Sequence, residues 1–249
     1  MEPIITVCHL DFTYPCGKKV LHDITLEIHR GEKFGIIGAS GAGKSTLMHH
    51  LNGICRGSGE ITVDNQVIGR VPDREIRNKV GLVFQNPEDQ LFCPTVFEDV
   101  AFGLINRGMS QEQVIRQVDK TLNDLNISDY RDLPSHHLSF GEKKKVALAT
   151  ILAMSPDIIC LDEPFANLDY ATVFQLIDLI DSIPQTRIII SQEILLSLAI
   201  CDRLAVMKQG RILKVSKAAE IASDHDLLEE AGLDYRPFLD RITQLFSVS

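Results

Sequence analysis

The sequence predicts an α/β fold: a mostly parallel sheet clad in helices, with antiparallel β-structure ahead of it and a helical insertion inside it. Short, wholly apolar runs such as Phe34-Gly35-Ile36-Ile37 and Ile158-Ile159-Cys160-Leu161 recur along the chain, the pattern of strands buried on both faces. Segments of helical period separate them, as crossover helices do in a parallel sheet. Residues 4–29 instead alternate apolar and polar side chains, as half-buried antiparallel strands do. With 249 residues and 45% hydrophobic content, the chain can bury one large domain, or one domain carrying a smaller lobe.

In order, residues 4–14 and 20–29 are the two antiparallel strands, and Arg30-Gly31-Glu32 is a turn. A short buried strand at 33–38 runs into a glycine-rich loop and a helix through 47–51. Residues 59–68 return to strand alternation, and 80–85 form another short strand. From Asn86 the period becomes helical. Val96, Val100 and Leu104 share one face over 95–108, and Ser110 with Gln113 matches a capping box for the next helix. Asp132-Leu133-Pro134 breaks the pattern before a helix at 141–154. An apolar strand at 157–161, a helix, a buried strand at 187–190 and a final helix-strand unit follow. Residues 1–215 are thus expected to form the main domain, with 86–155 as the inserted helical lobe and 216–249 as a helical tail.

Formal net charge is −9, which argues against nucleic acid, because phosphate-backbone binding needs clustered Lys and Arg. Lys143-Lys144-Lys145 is the notable basic cluster and reads as a solvated helix face. Six cysteines are scattered without a C-x-x-C pair, which fits reduced thiols rather than a disulfide framework. The opening residues lack the basic start and apolar run of a signal peptide, and no stretch approaches the ~20 apolar residues of a membrane span. If the protein works at a membrane, another chain is expected to hold it there.

Gly38-Ala39-Ser40-Gly41-Ala42-Gly43-Lys44-Ser45-Thr46 is G-x-x-x-x-G-K-[ST], placed between a strand and a helix. Glycines let successive N–H groups point inward around phosphates, and the helix N-terminus adds partial positive charge. Lys44 can reach β- and γ-phosphates, and the Ser45 hydroxyl can bind magnesium. Asp162 and Glu163 end the apolar strand: Asp162 is placed to hold magnesium, and Glu163 to act as general base on the attacking water.

Leu138-Ser139-Phe140-Gly141-Glu142, ahead of a helix, resembles the L-S-G-G-Q signature of ABC ATPases. The resemblance spans roughly residues 4–215 and implies a RecA-like P-loop NTPase core that binds and hydrolyses ATP with Mg2+. It implies a dimer, in which Ser139, Gly141 and the helix-start amides meet the γ-phosphate held by a second ATPase subunit. Tyr14 sits where an aromatic stacks on adenine, though it also reads as an ordinary aromatic. Gln85 resembles the Q-loop glutamine, a magnesium and water contact, though it also reads as a strand-end polar residue. Ala166-Asn167-Leu168-Asp169 resembles the D-loop.

Residues 84–92, 95–103 and 227–233 are similar to the ATPases of energy-coupling factor importers, including the cobalt and nickel type. That similarity implies uptake of a metal ion or vitamin at the cytoplasmic face of the cell membrane. It also implies an integral membrane subunit docked on a groove of the helical lobe, with Phe84, Leu91 and Phe92 lining it, though these three read equally well as packing in the lobe's own core.

Two departures stand out. Where the family usually has a histidine after the strand at 188–190, this sequence has Gln192, which can donate a hydrogen bond but carries no charge. Retained ATP binding and slower hydrolysis are expected. Phe140 replaces the first signature glycine and is expected to distort the trans contact if that position needs a positive φ. Gln192 keeps one alternative open, a catalytically impaired ATP-holding partner in a heterodimer; a non-transport soluble ABC ATPase is the other, against which stand the single cradle, the lack of a long coiled-coil insertion and the acidic charge.

Overall fold

A computed structural model describes residues 2–246. The chain divides into two compact units, Met1–Arg70 with Ile188–Ser249, and Val71–Arg187.

The first unit begins with β1 (Pro3–Thr13) and β2 (Lys19–His29), paired antiparallel with Val7 opposite Leu26 and Ile5 opposite Ile28. Their alternation buries Ile5, Val7 and Leu10 with Ile24, Leu26 and Ile28. Each such side chain contributes roughly 1.5–3 kcal/mol by leaving water. β3 (Lys33–Ile37) is buried from Phe34 onward and delivers the chain to the glycine loop and α1 (Lys44–Leu51). The stretch expected as one strand at 59–68 is a hairpin, β4 (Ser58–Val63) and β5 (Gln66–Val67). Asp64 and Asn65 turn it with φ of 46° and 62°. Both positive angles suit a two-residue turn whose twist matches the strands. The antiparallel sheet runs β2-β1-β4-β5.

The second unit opens with α2 (Asp73–Lys79), which the sequence reading passed over; Ile76 is its buried residue, so it has no apolar period to detect. β6 (Val80–Val83) is buried throughout. α3 (Val96–Asn106) and α4 (Gln111–Asp124) each start with a full capping box, Thr95 with Glu98 and Ser110 with Gln113. Both pack on α5 (Phe140–Leu152), which has its own box of Ser139 and Glu142. Each box satisfies otherwise orphaned helix-start donors, worth about 1 kcal/mol. β7 (Ile158–Asp162) is buried along its length and lies parallel to β6, with Val80 beside Ile158 and Val83 beside Leu161. α6 (Tyr170–Ser182) is capped by Asp169, whose carboxylate accepts from Thr172 N–H.

β8 (Thr186–Ser191), wholly buried, returns the chain to the first unit. There α7 (Ile194–Ile200) leads to β9 (Arg203–Lys208), parallel to β3 with Ile36 beside Ala205. A hairpin through Gln209 and Gly210, both at positive φ, adds β10 (Arg211–Lys217) antiparallel to β9. The strand order in this unit's part of the mostly parallel sheet is β10-β9-β3-β8. The helical tail therefore begins at Ala218 rather than 216, as α8 (Ala218–Ser223), α9 (His225–Ala231) and α10 (Arg236–Phe246). Cys8, Cys16, Cys55, Cys93 and Cys160 are free thiols, as expected from their scatter.

Candidate nucleotide site

The glycine loop is held by close backbone approaches and by one buried side chain, Lys44. A Cβ on Gly38 would lie 2.4 Å from the Met207 carbonyl, so only glycine lets β9 pass there. Gly43, the N-cap of α1, has φ 100°, and its helix start receives no side-chain cap. Positive φ at that point turns the chain so that the first helix amides face the loop interior. From the far side, Gly210 N–H donates to the Ala42 carbonyl at 2.9 Å, and Gly210 O accepts from His22 N–H. Gly210 was not singled out from sequence, although Gln-Gly between two strand-like runs is a turn signal. Ala39, Ser40 and Gly41 form the exposed crest.

Lys44 is buried, and its Nζ donates to the carbonyls of Gly38 at 2.7 Å and Ala39 at 3.3 Å. Its ammonium thus sits within the loop. The Ser45 side chain is exposed one position on. Tyr14 and Thr46 share a hydroxyl–hydroxyl hydrogen bond of 3.0 Å, and the Tyr14 ring meets Phe12 edge-on. That bond ties the expected base-stacking aromatic to the end of the phosphate loop.

At the end of β7, Asp162 and Glu163 are both buried, at 8% and 7% exposure. Glu163 has φ 43°, a left-handed conformation that costs a non-glycine residue on the order of 1 kcal/mol. Lys144 reaches this turn from α5, donating to Glu163 O at 2.9 Å and Pro164 O at 2.8 Å. Burial pushes its ammonium down to about 8, against the opposing pull of the Glu163 and Asp162 charges.

The expectation that Lys143, Lys144 and Lys145 form a solvated face is overturned. Successive helix positions point about 100° apart, so each lysine meets a different partner. Lys143 pairs with Glu88 at 2.6 Å, Lys144 is buried, and Lys145 donates to Gln175.

Ser139 is the N-cap of α5. Its hydroxyl and amide both donate to one Glu142 carboxylate oxygen at 2.7 Å, while Tyr130 donates to the other at 2.8 Å. These bonds hold the Glu142 carboxyl below its ordinary range, with the Ser139 hydroxyl the largest cause. Phe140 is the first residue of the helix and is not at positive φ, so the expected backbone strain does not arise. Its ring lies 5.5 Å from the Lys144 ammonium. Gly141 is required sterically: a Cβ there would come within 2.8 Å of Thr172 on α6.

The family model described as ABC transporter matches residues 21–166. The chain belongs to the ABC transporter family. It is 41% identical over 239 residues to the cobalt import ATP-binding protein CbiO of Rhodobacter capsulatus, covering 94% of this chain and 85% of that protein. It is 39% identical over 251 residues to the energy-coupling factor transporter ATP-binding protein EcfA of Methanocaldococcus jannaschii, covering 98% and 88%. Among solved structures it is similar to cbiO1 from Clostridium perfringens, part of the ABC transporter complex cbiONQ. That likeness has a TM-score of 0.84 and 34% identity over 99% of this chain and 100% of the other.

The remaining residues singled out by the ABC resemblance fall as follows. Gln85 is exposed just beyond β6. The loop that follows it is fastened by Gln90, whose amide donates to Ala147 O and Thr150 Oγ1 of α5 and whose carbonyl accepts from Phe84 N–H. Gln90 carried no role in the sequence reading, because its contacts are distant in the chain. Gln192 is exposed directly after the buried Ser191. Of the expected groove residues, Leu91 is buried in its unit and Phe84 is half-buried, whereas Phe92 is 65% exposed. Phe92 packs edge-on against Phe102 of α3 at 5.0 Å, and Ile105 is exposed one turn further along. This apolar surface belongs to Phe92, Phe102 and Ile105, so Leu91 is corrected to a core residue.

Proposed function

We propose that this ABC transporter ATPase is the ATP-hydrolysing subunit of an energy-coupling factor importer, working at the cytoplasmic face of the membrane and driving uptake of a metal ion or vitamin. The observation that carries this reading is an intact phosphate loop, with Lys44 lodged inside it, in a chain that matches CbiO and EcfA along nearly its whole length. Among the described residues no helix is long and apolar enough to cross a membrane, so transport needs membrane subunits from other chains.

ATP binds with its phosphates on the amides of residues 38–46 and on the Lys44 ammonium, and with its base against Tyr14. Ser45, Gln85 and Asp162 offer the hard oxygen ligands that Mg2+ takes, and the ion supplies charge neutralisation to the β- and γ-phosphates. Glu163, buried and left-handed, takes a proton from the attacking water. Gln192 orients that water or the γ-phosphate by hydrogen bond. Ser139, Gly141 and the α5 amides meet the γ-phosphate held by a second ATPase subunit. The exposed surface of Phe92, Phe102 and Ile105 receives the membrane subunit.

The test is turnover by the assembled transporter. Glu163→Gln is expected to keep ATP binding within about threefold while lowering turnover roughly 100-fold or more. Equal turnover by both proteins refutes the role of Glu163. Phe92→Asp is expected to abolish co-purification of the membrane subunit, because it buries an unpaired charge at the docking surface. The second reading, an ATP-holding partner whose chemistry is done by another subunit, is favoured only by Gln192. It predicts no loss of transporter turnover in Glu163→Gln.

A further inference from the structure

We propose that Lys144 is a positioning residue that holds Glu163 in its left-handed turn and fastens that turn to the helix carrying Ser139. The inference rests on the reading of Glu163 as the base. Three observations converge on it. The Lys144 ammonium is buried, at 5% exposure, and spends two of its donors on the consecutive carbonyls of Glu163 and Pro164, at 2.9 and 2.8 Å. The residue so held is at φ 43°, a conformation that persists in a non-glycine only where its surroundings impose it. The Phe140 ring covers the ammonium at 5.5 Å, keeping water from competing for the carbonyls and adding cation–π attraction.

The Glu163 carbonyl also accepts from Ala166 N–H at 3.2 Å, which closes the turn. Lys144 thus bonds to the Glu163 and Pro164 backbone, and acts through where it points the Glu163 side chain. It lies on α5 close to Ser139, Phe140 and Gly141. The segment proposed to meet a second subunit's ATP and the base for the chain's own ATP thus hang on one helix. Phe140 gains a purpose here: the residue that departs from the glycine signature is the one that shields the clamp.

The experiment compares wild type, Lys144→Met, Lys144→Arg and Phe140→Leu in the assembled transporter, by thermal midpoint, ATP affinity, kcat and KM. It adds amide hydrogen exchange at Phe165 and Ala166 without nucleotide. Methionine keeps the stem and loses the donors; arginine keeps donors and charge. Lys144→Met is expected to speed Ala166 exchange about tenfold or more and to lower kcat about 10- to 100-fold, with KM and ATP affinity within about threefold. Lys144→Arg is expected to recover kcat to within about fivefold of wild type, and Phe140→Leu to speed exchange less than Lys144→Met. Wild-type exchange at Ala166 in Lys144→Met overturns the proposal, as does a kcat within twofold of wild type. Equal loss of fold and ATP binding in both Lys144 variants also overturns it, showing a structural plug. If Glu163→Gln turns over like wild type, the base assignment fails, and the exchange result still decides whether Lys144 holds the turn.

Discussion

Two helix N-termini in this chain are proposed to meet a phosphate, and they are built in opposite ways. α1 starts at Gly43, has no side-chain cap and no acidic residue in its first turn, and follows an exposed glycine crest. α5 starts at Ser139, and a complete capping box with Glu142 already occupies its hydroxyl and amide. The first end keeps its positive potential for a ligand; the second meets part of its demand from its own carboxylate. An open cradle of the first kind suits tight binding by one chain alone. A self-capped end of the second kind suits a contact made only when a partner brings the phosphate and competes for Ser139.

Lys44→Ala is the largest expected perturbation of this contrast. It removes the cation inside the open cradle, and ATP affinity of the isolated chain is expected to fall roughly 100-fold or more by titration calorimetry. Retained affinity would mean that backbone amides alone suffice, and the two helix ends would differ less than their caps suggest. Gln192→His comes next. If the missing charge limits transition-state stabilisation, turnover is expected to rise about tenfold with ATP affinity little changed. No rise would place the limit in α5 and its partner contact rather than in the cradle's own unit.

The open cradle was legible in the sequence and the self-capped end only partly so, for a physical reason. A phosphate loop is a local device: glycine spacing, one lysine and one strand-helix junction specify it, and the structure has that junction at Gly38 to Thr46, between β3 and α1. The buried strands were equally legible, because residues such as Ile158 to Leu161 leave no polar face to expose. What escaped depends on partners far along the chain or on backbone sign. Asp64-Asn65 and Gln209-Gly210 are turns of positive φ hidden within alternating runs. Lys144 differs from Lys143 and Lys145 only in the direction it faces, which a run of like residues cannot reveal. Leu91 and Phe92 are adjacent apolar residues, one buried and one exposed, and residue type alone does not distinguish them. The worry over Phe140 assumed that the signature glycine turns the chain; it begins a helix, where any side chain fits that φ.

Glu142→Gln is the smallest expected effect and the sharpest test of the contrast. Glutamine can still accept from Ser139, so the cap survives while the charge goes. In the folded chain the Glu142 carboxyl is held below its ordinary value of 4.5 by the Ser139 hydroxyl, then the Ser139 amide and the Tyr130 hydroxyl. A depressed carboxyl contributes stability above its unfolded value and loses it as the pH falls through the folded one. The wild type is therefore expected to lose stability relative to Glu142→Gln only below about pH 4.5, with a constant difference above it, read from urea midpoints. At neutral pH the effect on assembly runs the other way. The carboxylate steadies α5 but repels an incoming γ-phosphate, so ATP-driven dimerisation is expected to tighten about two- to fivefold in the variant, the scale of one charge at a helix end. Weaker dimerisation would show that the carboxylate holds Ser139 in the geometry the phosphate needs. The α5 end would then be preorganised like the cradle, and the contrast between the two helix starts would lie only in which subunit supplies the phosphate.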